Sequence, residues 1–554
     1  MKLDSEKLKK RIESLLLDFV AIRSDSNSKH ERNIEEFFTK WFSEVPYFKE
    51  HPEYCGLFPI PNDYLDRRVA WCLRKGTGDD TIVLMHHHDC VETLDFASLE
   101  EFALQPKALK EAFKKQLDRL PPEIAAEIGS DEWMVGRGVA DMKGGGAIEL
   151  ALMEAYCAEK DFKGNVLVLS VPDEENLSAG MLGACFLLKE LKERLKLNYL
   201  MMVDTEPHER ETPDVATFYD GSIGKIMPVI YVHGKLAHVA QVYSGLNPIN
   251  LLAEIVRRTE LNPLFIDQSG NTVAPPATWL YSKDRKEVYD VSLPTDATGY
   301  MSILPLEKTA KELMDIIKGI CVEAFDCVLE DMNKSYKEYL SVCGAPQEKL
   351  PFKTNVKFFA DLYQDALRDS GDEFLKHFKQ VYDAARADLI GKKISMIAAV
   401  NALIAITLKY VKDPSPKVII ALSPPFYPSV NNAKLSGDIA KNADKAISNV
   451  IKFAQEEFGQ KYEVKNYFTG ICDLSYAMFN VSDDNIDYIK NNMLLWGDVY
   501  SIPLDIIKEL SMAVVNIGPW GKDLHKYTER VFIDDLYRVT PQLVDKMVKE
   551  ILNK

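Results

Sequence analysis

The 554 residues contain no CxxC pair; their nine cysteines are scattered and odd in number. This excludes a disulfide framework and a paired-cysteine zinc site, and it points to a reducing compartment. Basic residues are in deficit, with Lys+Arg 67 against Asp+Glu 84 and a formal net charge of −17. A chain this acidic lacks the electrostatic footprint of a nucleic-acid binder, so the charge reads as serving solubility. Long apolar runs are missing as well. The longest, Ile394 to Leu408, is broken by Ser395, Asn401 and Thr407. It is too short to span a bilayer and reads as a buried helix. The opening Met1-Lys2-Leu3-Asp4-Ser5-Glu6-Lys7 mixes acids and bases without an apolar core, unlike a signal peptide. The expectation is a cytoplasmic protein with neither nucleic-acid nor membrane partners. There is no internal repeat and no low-complexity segment. A phosphate loop GxxxxGK[ST] is absent too, because Lys143 is followed by Gly144.

What the chain does have is Gly136-Arg137-Gly138-Val139-Ala140-Asp141-Met142-Lys143-Gly144-Gly145-Gly146, glycines framing one carboxylate. A short extended segment, Asp131 to Val135, leads in, and Ala147 to Ala155 follows with helical periodicity. Glycines at such a junction allow close backbone approach and positive φ. The lone Asp141 on this frame is a plausible hard-oxygen ligand for a metal, whose partners must come from elsewhere.

Helical spacing marks Glu6 to Ile22 and Glu31 to Phe42. Arg68 to Leu73 and Thr81 to Met85 read as strands separated by a turn at Gly76 to Asp80. Leu94 to Ile128 reads as inserted helices. Asn165 to Val171 and Tyr199 to Val203 are further buried strands. The alternation predicts an α/β fold with a largely parallel sheet. Length suggests two to four units at about 150 residues each. Residues 1–212 are assigned to the first part of one domain. An inserted α+β domain covers 213–433, with a helical insertion at 330–412, and 434–554 return to the first domain. Lys417 to Leu422 is a strand, after which Pro424-Pro425 breaks the chain.

Ligand-type side chains stand at strand ends, where open α/β sheets place their sites. They are His87 with Asp89, Asp141, Glu174 with Glu175, Asp204 or Glu206, and His525. Two imidazoles with three carboxylates suit a pair of zinc ions, one carboxylate bridging. His86 and His88 flank His87 and should turn to the opposite face as packing residues. His233 reads as a strand residue, and Cys90 and Cys472 as buried thiols.

The order of these motifs resembles the co-catalytic zinc peptidase superfamily of acetylornithine deacetylase, succinyl-diaminopimelate desuccinylase, aminoacylase and glutamate carboxypeptidase. The matching stretches are His87 to Val91, Gly136 to Gly145, Asp173-Glu174-Glu175, Gly234 to His238 ahead of Gly245 to Ile249, and His525. The length, the insertions and Tyr467 to Tyr476 look most like the arginine-utilisation branch of that superfamily.

The resemblance implies a phosphorylase/hydrolase-like catalytic domain with a lid domain. It implies metal ligands His87 with Asp204 and Glu175 with His525, bridged by Asp141, and two divalent ions, zinc before cobalt or manganese. Asp204 is preferred to Glu206 because it directly follows its strand, as the family ligand does. Asp89 would orient the His87 ring, Glu174 would act as general base, and His238 would donate to the oxyanion from its own chain or from a partner. A homodimer through the lid is implied as well. The expected activity is hydrolysis of an amide bond in a small N-acyl amino acid or short peptide, in arginine or amino-acid catabolism. The alternatives are an aminopeptidase or dipeptidase of the same fold, or a non-catalytic metal-binding regulator. The chain departs from carboxypeptidase-like relatives by having no arginine in Gly299 to Ser302 or in Asp473 to Tyr476. A bidentate hold on a substrate carboxylate is therefore missing at both places.

Overall fold

The computed structural model describes residues 4–479 and 482–552. The chain divides into two compact units. The first comprises Met1–Ile223, Val430–Asn480 and Ile502–Lys554, and the second Gly224–Ser429 and Val481–Ser501. The inserted unit thus starts about ten residues later than the composition change at 213 suggested. It also claims residues 482–501, which the sequence reading placed in the first domain. Leu494 and Leu495 explain that reassignment, since both are buried in the apolar core of the second unit.

The first unit is built on an eight-stranded sheet. Its strands are β1 (Cys55–Pro59), β2 (Arg68–Lys75), β3 (Thr77–His87), β4 (Lys163–Val171), β5 (Asn198–Asp204), β6 (Val215–Tyr219), β7 (Lys461–Lys465) and β8 (Ala513–Asn516). Their spatial order is β1-β2-β4-β3-β5-β8-β6-β7. β3 runs parallel to β4 and β5, and β5 parallel to β8, so the middle is parallel as expected. β2 pairs antiparallel with β4, which makes the whole sheet mixed. β3 begins at Thr77, so the expected turn shrinks to Gly76 and the polar Gly78-Asp79-Asp80 belong to the strand.

Strand alternation separates core from site. Ile82, Leu84, Val166, Val168, Met201, Val203, Ala513 and Val515 lie in one core with Phe19 of helix α1 (Ser5–Val20) and Ile148 of helix α2 (Lys143–Cys157). Side chains of opposite parity leave on the other face. Met85 pairs with Asp204, and Asp204 with Asn516, so His87, Asp204 and Asn516 all belong to that second face.

The glycine run contributes differently from the loop expected of it. Gly144 to Gly146 lie inside α2, whereas Gly138 has φ +77° and makes the turn before it. A side chain at Gly145 would be driven into the hydroxyl and carbonyl of Thr205. The glycines let α2 press against the sheet next to the strand ends.

In the second unit a five-stranded sheet runs Thr278–Asp284, Asp296–Ser302, Lys225–His233, Lys417–Tyr427, Val356–Phe358. The Lys417 strand continues through Pro424 and Pro425, because their neighbours keep pairing with the Lys225 strand as far as Tyr427. The 330–412 segment is largely helical, but it does not begin at a break. Helix Ala310–Cys343 starts at a Thr309/Glu312 capping box and runs straight into it. Helix Met396–Leu408, the run predicted to be buried, packs its Val400, Leu403 and Ile404 into the core. Among the described residues no helix is long and apolar enough to cross a membrane.

If α2 depends on this close approach, Gly145→Ala lowers the urea midpoint by the equivalent of about 1–3 kcal/mol, the usual cost of overpacking. An unchanged midpoint in equilibrium unfolding contradicts the tight helix–sheet contact.

Candidate metal centre

Four side chains converge on Asp141. His87 Nε2 lies 3.0 Å from Asp141 Oδ1 and 3.1 Å from Glu206 Oε1. His525 Nε2 lies 3.0 Å from Asp141 Oδ2 and 2.8 Å from Glu175 Oε1. Each oxygen of the one carboxylate thus faces a different imidazole. The ligand atoms fall into groups His87–Asp141–Glu206 and Asp141–Glu175–His525, each within 4.8 Å. A third group joins His87, Glu174 and Glu175, their ligand atoms also within 4.8 Å. His87 is buried at the floor, while the His525 side chain is 50% exposed at the rim. Nitrogen and oxygen donors packed this closely on one shared carboxylate fit a pair of divalent cations.

The structure corrects the choice between the two acids after β5. Glu206, not Asp204, reaches His87. Asp204 is the last residue of β5, and its short side chain is held on the sheet face; both its oxygens are buried and make no hydrogen bond. Glu206 lies past the strand end with a longer side chain.

Asp89 does more than orient the His87 ring. The nearest partner of His87 Nδ1 is the Asp89 backbone carbonyl at 3.0 Å, with the carboxylate at 3.6 Å. The Asp89 carboxylate instead accepts the backbone N–H groups of Glu174 (3.1 Å) and Glu175 (3.3 Å). One residue therefore fixes the His87 tautomer through its main chain and seats the Glu174-Glu175 loop through its side chain. Asp173 opens that loop in the left-handed region, and Arg67, buried against Glu31, Asp63 and Asp173, anchors it.

The sequence reading missed Glu529. Its Oε1 accepts the N–H groups of Ala140 (3.2 Å) and Asp141 (3.3 Å), and its Oε2 pairs with Arg137 at 2.8 Å. Arg137 also donates to the His525 carbonyl at 3.4 Å. The arginine of the glycine motif thus ties the bridging loop to the segment carrying His525. No local motif announces Glu529, and only its spacing of four from His525 sets it near the site.

The other histidines stay off the centre. His86 meets Glu149 (2.8 Å) among Phe19 and Phe38, and His88 meets Ser170 (2.9 Å). His233 pairs with Asp296 at a strand end. Cys90 and Cys472 are buried, and burial pushes the Cys90 thiol up to about 12. His238 belongs to the second unit. It is exposed, and its Nδ1 accepts the Ala240 N–H at 3.1 Å.

The family model for peptidase family M20/M25/M40 matches residues 113–540. The chain belongs to that family. Two relatives in Bacillus subtilis strain 168 are similar along nearly the whole M20 chain. The uncharacterised protein YqjN is 28% identical over 545 residues, covering 98% of this chain and 96% of its own. Protein RocB is 28% identical over 552 residues, covering 98% and 95%. Among solved structures, aminopeptidase PepT from Bacillus cereus superposes with a TM-score of 0.52 at 14% identity, covering 98% of both chains. At that identity the likeness shows the fold alone, an M20 metallopeptidase fold.

The electrostatics of the M20 centre follow from its crowding. Burial opposes protonation of His87, but Glu206 and Asp141 outweigh it and raise the imidazole well above its ordinary range. Asp141 and Glu175 push His525 up to about 10. Burial and the neighbouring Asp141 push Glu206 up to about 7. Burial would also raise Asp141, yet His525 and His87 hold it well below the usual carboxylate range. Without metal, then, His525 carries a proton at neutral pH, and the carboxylates around His87 favour its charged form.

A divalent ion must displace those protons. Zinc titrated calorimetrically into metal-free protein at pH 7.5, in buffers of different ionisation enthalpy, should show net proton release. Affinity should strengthen as pH rises toward 10; a buffer-independent heat contradicts the charge assignment. Ligand choice has its own test. Glu206→Ala should lose zinc by metal analysis while Asp204→Ala keeps it, and the reverse pattern restores Asp204 as ligand.

Proposed function

We propose that the chain is a metal-dependent amidohydrolase cleaving a small N-acyl amino acid or short peptide. The carrying observation is Asp141 between two imidazoles, each with its own further carboxylate. His87 and Glu206 would hold one ion and Glu175 and His525 the other, with Asp141 shared. Zinc suits this mixed nitrogen and oxygen set, and cobalt or manganese would be tolerated. Bound ions would lower the pKa of a water and polarise the scissile carbonyl.

Glu174 is the base in this reading. It stands beside His87 and Glu175, is seated by Asp89, and burial raises its carboxyl well above the ordinary range. A carboxylate made more basic by burial can take a proton from the water and return it to the leaving amine. His238 would donate to the oxyanion. With Nδ1 accepting a backbone N–H, the ring keeps its proton on Nε2, free to donate outward. The second unit supports a homodimer, because its edge strand Thr278–Asp284 exposes Leu280 and Tyr281. A setting in arginine or amino-acid catabolism rests on the sequence resemblance. A non-catalytic binder is the weaker reading, since it needs no base beside its metal ligands.

Turnover over a panel of N-acyl amino acids and dipeptides tests this. Glu174→Gln should keep its zinc and lose roughly 10²–10⁴-fold in kcat, and His238→Ala roughly 10²–10³-fold with metal unchanged. Equal zinc loss in both variants, or full activity in either, contradicts the roles. If His238 acts across a dimer, mixing the two inactive variants should restore part of the activity.

A further inference from the structure

On the face of the sheet that carries His87 lies a second group of polar atoms that the hydrolytic centre does not use. Asp204 ends β5 and Asn516 ends β8, paired in parallel register, so their side chains leave on the same side. Asp473 opens the turn Asp473–Tyr476, which packs against β5. All three residues are 1% exposed. Both oxygens of Asp204 and both amide atoms of Asn516 lack a hydrogen-bond partner, while the Asp473 carboxylate has Ser178 as a hydrogen-bonding neighbour. Buried polar atoms are nearly always satisfied, and two buried carboxylates side by side demand compensation. The imidazole that acts on both acids is His87, and it is already engaged by Asp141 and Glu206.

We propose that Asp204, Asp473 and Asn516 form a separate site for one hard cation of the alkali or alkaline-earth class. Its donors are four carboxylate oxygens and an amide oxygen, with no imidazole and no thiolate. An all-oxygen set favours sodium, potassium, magnesium or calcium, whereas zinc is drawn to the nitrogen-bearing centre. A cation there would offset the negative charge gathered behind Glu206 and pin the ends of β5 and β8. The assignment does not depend on which bond the enzyme cleaves.

The test uses zinc-loaded full-length protein dialysed into choline chloride. Sodium, potassium, magnesium and calcium chlorides are then titrated in separately at constant ionic strength, following thermal unfolding, heat of binding and zinc content. One of the four ions should bind saturably and raise Tm with zinc content unchanged. Asp204→Asn and Asp473→Asn should abolish that rise. In choline alone Asp204→Asn should unfold no lower than wild type, since it removes one of two neighbouring carboxylates. No saturable heat in wild type from any of the four ions overturns the site, whether or not the variants fold. So does an identical response in wild type and Asp204→Asn, or binding that only displaces zinc. The two neighbouring acids then share a proton or a water instead.

Discussion

The centre depends on one carboxylate shared between two imidazoles. Each Asp141 oxygen approaches a different ring at 3.0 Å. The rings come from opposite ends of the chain, one from a strand end and the other from a loop more than four hundred residues later. Such sharing requires Asp141 to be fixed along both oxygen directions. Glu529 supplies part of that restraint by accepting two successive N–H groups of the bridging loop, and Arg137 neutralises Glu529 while touching the His525 carbonyl. The support is built into the same glycine motif that carries the ligand.

The sheet gives this arrangement its rigid base. Period-two alternation sends apolar residues of β3, β5 and β8 into one core and leaves His87, Asp204 and Asn516 on the other face. Helix α2 closes on the sheet through glycines, which brings the Asp141 loop to the level of the strand ends. Sites placed on rigid elements hold ligand geometry better than sites on loops. His87 benefits from that directly. His525, half-exposed and in the left-handed region, relies on Arg137 and its two carboxylate partners.

Much of this was legible in the sequence because short motifs and strand ends coincide. His87, Asp141, Glu174, Glu175 and His525 could be picked out, and the structure brings them together. Asp204 against Glu206 was not decidable, because residues two apart on a strand share a face and only the true end of β5 separates them. Glu529 and the Asp89 contacts to Glu174 and Glu175 were invisible, since main-chain hydrogen bonds across distant segments leave no periodicity. The turn at Gly76 to Asp80 was misjudged for a related reason: polar composition marks a turn only where pairing does not override it. Residues 482–501 went to the wrong unit because the helix Asp483–Asn492 and the turns after it carry no sign of which core they join.

The central claim is that Asp141 bridges two metal ions, each with one imidazole and one further carboxylate. Anomalous diffraction at the zinc edge from zinc-loaded crystals tests it most directly. The account predicts two peaks about 3.5 Å apart, one against His87 and Glu206 and the other against Glu175 and His525, with Asp141 between them. A single peak, or a peak ligated by Asp204 in place of Glu206, would contradict it.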